Sequence, residues 1–251
     1  MYTKTTLLAA AALAGSAMAQ RPANMSICDY YTTALLKNNT AANQATVLTL
    51  VVNTAVIGNY TKPQIPGVTF PDIAVPGILA NGTVNGTMVN LLPYFNGGLA
   101  STNRGGDEGT SVNFLDDGGA VPLMMNKPAN GTSSNQYFLL THLYEYFGTL
   151  LGCSQQGMTG FSKYEGSNSQ YSVHKFMDLS EAQFTYFIQQ VGLSAASFGV
   201  TTDDVTAVAM SLEKAFGMKC AAATKIVPSQ DAAEQAICIG DGCPTAMNAS
   251  C

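Results

Sequence analysis

Basic residues are scarce: eleven Lys and Arg stand against sixteen Asp and Glu, and only 11% of the chain is charged. No basic surface is available to displace counterions from a phosphate backbone, which excludes nucleic acid as a partner. Long apolar runs are also missing beyond the first twenty residues. The longest, residues 47–57, is broken by Thr49, Asn53 and Thr54, well short of the roughly 20 residues that cross a bilayer. No membrane span is expected, and the terminal residues 247–251 lack the hydrophobic tail that a lipid-anchor exchange needs.

Signatures of catalysis are absent as well. Gly160-Phe161-Ser162-Lys163-Tyr164 departs from the G-x-S-x-G elbow, and two histidines leave few ways to build a hydrolytic triad. Asp116-Asp117 beside Gly118-Gly119 lacks the alternating ligands and closing glutamate of a calcium loop. Asp203-Asp204 reads as the acidic start of a helix. No phosphate-binding or dinucleotide fingerprint occurs, and no two cysteines have the C-x-x-C spacing of a redox or metal motif. An enzyme is therefore not the favoured reading.

What is present points to export. A lysine at position 4, an apolar stretch over residues 6–14 and Ala17-Met18-Ala19 form a signal peptide over residues 1–19, with cleavage before Gln20. Removing Lys4 with it leaves ten basic residues. Seven N-x-S/T sequons, at Asn24, Asn38, Asn59, Asn81, Asn85, Asn130 and Asn248, would then meet the glycosylation machinery. Six cysteines, Cys28, Cys153, Cys220, Cys238, Cys243 and Cys251, read as three disulfides of unspecified pairing. Cys153 and Cys220, flanking helices, are both expected to be bridged. The expectation is a secreted, extracellular, N-glycosylated and disulfide-bonded protein.

Along the mature chain the pattern is mainly α. Ser26-Ile27-Cys28-Asp29 has capping-box form, and residues 42–58 place Leu48, Val51, Val52, Ala55 and Val56 on one face with Thr46, Thr49 and Asn53 opposite. Pro63, Pro66, Pro71 and Pro76 bar a long helix from residues 59–90. A helical turn is expected around Leu91, Leu92, Tyr94 and Phe95, then loop over residues 101–134. Residues 136–151 are apolar and aromatic with helical spacing, stopped by Gly152. Ser180-Glu181-Ala182-Gln183 opens a helix that runs to about Phe198, and Thr201 or Thr202 opens another that ends at Phe216-Gly217. The expected division is a single helical domain over residues 20–220, carrying an irregular glycosylated insertion at 59–135, followed by a cysteine-stapled tail at 221–251 with one short helix near 231–236.

Both histidines, His142 and His174, fall in the helical half. Residues 171–180, Tyr-Ser-Val-His-Lys-Phe-Met-Asp-Leu-Ser, lead on to Phe184, Phe187, Ile188 and Gly199-Val200. Before them, residues 139–152 end in Tyr-Glu-Tyr-Phe-Gly-Thr-Leu-Leu-Gly, and Tyr164-Glu165-Gly166 lies between. This segment, residues 136–218, resembles group 1 truncated haemoglobins: a distal helix, a Tyr-x-Gly loop, a short helix with the proximal histidine, and two longer helices. The resemblance covers about a third of the chain. It implies a globin-like two-over-two helical domain holding haem b, with His174 as proximal ligand. His142 falls where some members carry a second iron-binding histidine, so both are candidate metal ligands.

The residue chemistry is compatible with that reading. Haem iron takes a neutral imidazole presented from a helix into an apolar slot. Leu139, Leu143, Tyr146, Phe176 and Met177 are candidate lining residues, and Lys175 or Lys163 a propionate partner. Haem-linked redox, diatomic-ligand sensing or haem capture would follow, with a redox protein or a diatomic ligand as the further partner. The rival expectation is a haem-free secreted glycoprotein that uses the same helical scaffold for surface interactions.

Overall fold

A computed structural model describes residues 19–60 and 70–247. Residues 1–18 of the expected signal peptide, Pro63 and Pro66, Asn248 and Cys251 lie outside the described residues.

The described chain is mostly helical, with eight α-helices and four short strands. The first helix, α1 (Ile27–Leu36), begins where Ser26 Oγ accepts the Asp29 N–H at 3.1 Å. Only half of the expected capping box forms. The Asp29 carboxylate turns instead to the Gln44 amide at 2.7 Å and the Ser154 N–H at 3.0 Å. The second helix, α2 (Ala41–Ile57), is capped by Thr40 and touches α1 and three later helices: α4 (Ala120–Met124), α5 (Asn135–Leu150) and α7 (Glu181–Ser197). The expected polar face is exposed at Thr46 and half-buried at Thr49, but it does not extend to Asn53. Asn53, assigned to a polar face, is fully buried. Its amide donates to the Leu123 carbonyl at 3.1 Å and its oxygen accepts the Tyr144 hydroxyl at 2.6 Å.

The remaining long helices follow the sequence closely. Ser180 and Gln183 form a complete capping box on α7, with Ser180 Oγ accepting at 3.3 Å and Gln183 Oε1 accepting at 3.0 Å. Thr201 caps α8 (Thr202–Phe216), which packs on α7 and has Asp203 and Asp204 in its first turn, where acidic groups suit the helix dipole. Asp204 additionally takes the Arg21 guanidinium at 2.8 Å and the Tyr31 hydroxyl at 2.8 Å. That cluster fixes the N-terminal segment to α8.

The insertion is more ordered than expected. An antiparallel hairpin, β1 (Gly82–Val84) and β2 (Thr87–Val89), turns at Asn85-Gly86, where both residues have positive φ, 49° and 82°. Asn-Gly suits that two-residue turn. The short α3 (Leu92–Phe95) coincides with the expected helical turn and runs into a second, irregular hairpin, β3 (Asn96–Thr102) with β4 (Thr110–Asn113), where a loop was expected. Gly58 and Gly77 let two backbones cross: a Cβ on Gly77 would stand 2.3 Å from the Gly58 nitrogen. Asn24, Asn38, Asn59, Asn81, Asn85 and Asn130 are all exposed.

No helix forms at residues 231–236. Thr224 bridges Ala233, and the backbone beyond is used by other elements: Ile237 and Cys238 donate to the Phe216 carbonyl at 2.8 and 3.0 Å, and Ile239 and Gly240 donate to that of Leu179. An α-helix would need those groups for itself. Disulfides join Cys28 to Cys153 and Cys238 to Cys243, and Cys220 is disulfide-bonded too. Bridges of this kind form in an oxidising compartment.

Replacing Asn53 by Ala should strip a partner from two enclosed groups, at about 1–3 kcal/mol for each orphaned one. We expect Asn53→Ala to lose about 3 kcal/mol in chemical denaturation. A loss below about 1 kcal/mol would mean that α2 is not held in this way.

Candidate functional site

Helix α5 starts at Ser134, whose hydroxyl accepts the Tyr137 N–H at 3.0 Å. Two turns on, His142 places Nδ1 2.9 Å from the Phe138 carbonyl oxygen. A carbonyl can only accept, so Nδ1 carries a proton. The imidazole lies 4.0 Å from the Phe138 ring and 5.8 Å from that of Tyr164. Tyr146, one turn further, is 4.8 Å from Tyr164 and 6.3 Å from Phe216. Its hydroxyl is buried without a hydrogen-bond partner. Leu139 and Leu143 are half-buried against the main core.

The short helix α6 (Gln170–His174) is capped by Ser169 and carries His174 at its last position. His174 repeats the arrangement of His142, with Nδ1 2.9 Å from the Gln170 carbonyl. Burial holds its pKa below the ordinary 6.5, opposed by that hydrogen bond, which keeps the imidazole neutral near pH 7. The two histidines are linked through a pair of residues: the Gln170 side chain donates to the Tyr164 hydroxyl at 3.3 Å, and Tyr164 stands edge-on to His142.

His142 and Tyr146 therefore pack against Tyr164, and His174 reaches that ring only through Gln170. The other expected lining residues are engaged with the insertion or with one another. A single 3-10 turn (Lys175–Met177) packs on β3. Phe176 stands against Gly109, where an added Cβ would meet its ring at 3.0 Å. The Lys175 ammonium lies over the Tyr171 and Phe176 rings, 5.7 and 5.2 Å from their centroids. The Met177 carbonyl accepts the Tyr94 hydroxyl at 2.9 Å.

Two neighbours of the histidines, Tyr164 and Gln170, were not among the expected site residues, nor was Glu145, which lies close to Tyr164 and Glu165. Tyr164 was visible as the start of a Tyr-x-Gly loop, and Gln170 could have been found as the residue four before His174. Burial, with the Glu165 carboxylate adding repulsion, pushes Glu145 up to about 7 from 4.5. Tyr146 and Tyr164 are raised by burial and stay protonated. Among the described residues, no three His, Cys, Asp or Glu side chains converge as metal ligands. Any metal held by the histidines would have to bring most of its own coordination.

No family model, curated protein or solved structure matches the chain.

Glu145 binds a proton more tightly folded than unfolded, so it should favour the folded state below pH 4.5 and lose that contribution as pH rises to about 7. His174, with a lowered pKa, acts oppositely and costs stability as pH falls below 6.5. Glu145→Gln isolates the first effect. Its melting temperature relative to the parent should rise steadily between pH 5 and 8, whereas a constant difference across that range would contradict the assignment.

Proposed function

We propose that this chain is a secreted haem-binding glycoprotein in which His174 is the proximal iron ligand of a globin-like helical site and His142 a second ligand. The observation that carries the reading is the shared state of the two imidazoles. Each is anchored at Nδ1 by the carbonyl four residues earlier. Histidine ligands of metals generally have their second nitrogen fixed by such a bond, which sets tautomer and ring orientation.

The residues present suit the group. His174 is kept neutral by its burial, Leu139, Leu143 and Met177 are apolar and partly buried against the core, and the Tyr146 hydroxyl is enclosed without a partner. His174 and His142 would hold the iron. Bound haem would supply one-electron redox chemistry or binding of a diatomic ligand. With two histidines committed to the iron, redox or haem capture fits better than sensing of a diatomic ligand. Export is supported by the leader-like N-terminus, by exposed sequons and by disulfides.

One observation favours a second reading, that of a haem-free glycoprotein whose scaffold serves surface interactions. The Tyr164 ring, 5.8 Å from His142 and 4.8 Å from Tyr146, fills space beside His142 with protein.

Histidine variants tell the readings apart. His174→Ala should abolish haem retention, since hydrophobic contacts alone do not fix the iron. His142→Ala should retain haem but convert a six-coordinate low-spin spectrum to a five-coordinate or water-bound one. Retention of haem by His174→Ala would remove the proximal assignment.

A further inference from the structure

Helix α6 has five residues, too few to be stable alone, since the first turn of any helix is costly to form. Its opening N–H groups also need partners from outside the helix. Ser169 Oγ takes the Ser172 N–H at 3.1 Å, and the C-terminal tail provides for the other two. The Gln170 N–H points at Gln235 Oε1, 3.4 Å away, and the Tyr171 N–H at the Glu234 carbonyl, also at 3.4 Å. That same carbonyl accepts the Ser169 hydroxyl at 2.8 Å.

Gln235 is itself locked. It is 3% exposed, and its amide nitrogen lies 2.7 Å from the Asn168 carbonyl and 3.1 Å from those of Thr224 and Ala233. Three residues on, Cys238 is tied to Cys243, and its N–H donates to the Phe216 carbonyl. The tail thus runs from the end of α8 to the start of α6 with little freedom to move. Gln170, which it holds, supplies the carbonyl that takes the Nδ1 proton of His174.

We infer that Gln235 is a positioning residue for His174, acting through Gln170, so that the tail belongs to the ligand-binding apparatus. The inference rests on the haem reading for its purpose but not for its geometry. An unrestrained neutral histidine carries its proton mostly on Nε2, the nitrogen that must be bare to bind iron. Holding Gln170 in place selects the other tautomer.

The test is long-range proton–nitrogen NMR of the His174 ring in the full-length, haem-free protein at pH 8, where the ring is neutral. The parent protein should show the Nδ1–H tautomer. Gln235→Ala should shift the ring toward Nε2–H with unchanged circular dichroism, and should weaken binding of added haem about tenfold, as loss of an outer-shell partner does. Gln235→Asn keeps an amide able both to donate and to accept, one methylene shorter, and should move the tautomer less than Gln235→Ala does. If the alanine variant does not fold, Gln235→Asn is read alone: a shift of its tautomer must accompany faster exchange of the Gln170 amide. A folded Gln235→Ala that keeps the Nδ1–H tautomer, or a Gln235→Asn whose Gln170 amide exchanges faster with the tautomer unchanged, overturns the inference. If the tautomer shifts but the parent takes up no haem, positioning by Gln235 is supported and only the haem reading falls.

Discussion

Buried amide side chains hold this fold together. A loop-rich chain encloses many backbone donors and acceptors, and each costs stability unless it is paired. Asn53 joins α2 to α4 and α5 from inside the core. Gln44 connects Asp29, Asn39 and the Gln155 N–H around the Cys28–Cys153 bridge. Gln136 takes the N–H groups of Asp117 and Gly119 and donates to the carbonyls of Gly119 and Pro128. Gln190 accepts the Gly77 N–H where the insertion meets α7. Asn53, Gln44 and Gln136 each both donate and accept, so one side chain can close a loop that has no regular ladder of its own.

The histidine pair depends on the same device. Gln170 touches Tyr164 with its side chain and His174 with its backbone, and Gln235 holds Gln170 from the tail. The order of the core therefore does not require a prosthetic group. What a prosthetic group would explain is narrower: two imidazoles in the same tautomer, and a buried phenol at Tyr146 with nothing to bond.

The long helices were legible because their caps and apolar spacing agree. Ser180 and Thr201 begin helices as their cap signals indicated, α5 was legible from its apolar spacing, and Gly152 and Gly217 follow two of these helices. The hairpins were harder. Asn85-Gly86 is a strong turn signal, but the surrounding prolines and sequons drew the reading toward irregular loop. Asn53 was placed on an outer face because polarity alone does not reveal a buried partner 70 residues away. The acidic and alanine-rich residues 231–236 resemble a helix locally, yet α6, α7 and α8 claim the neighbouring backbone. Within the candidate site, the histidines and Tyr146 could be named from their spacing. Gln235 could not, since its role arises only when a segment 65 residues downstream returns to cap α6.

Glu145, close to Tyr164 and raised to about 7 by burial and by the Glu165 carboxylate, carries a charge that varies near neutral pH. Burial of Glu145 next to a like charge is unfavourable when both are ionised, which makes this side of α5 the least settled part of the helix electrostatically. The central claim remains that two imidazoles serve one iron. Titration of the purified parent protein with haem, followed by gel filtration, tests it most directly. The account predicts a Soret band that saturates at one haem per chain, has low-spin character and travels with the protein. Haem that separates from the protein on the column would contradict it.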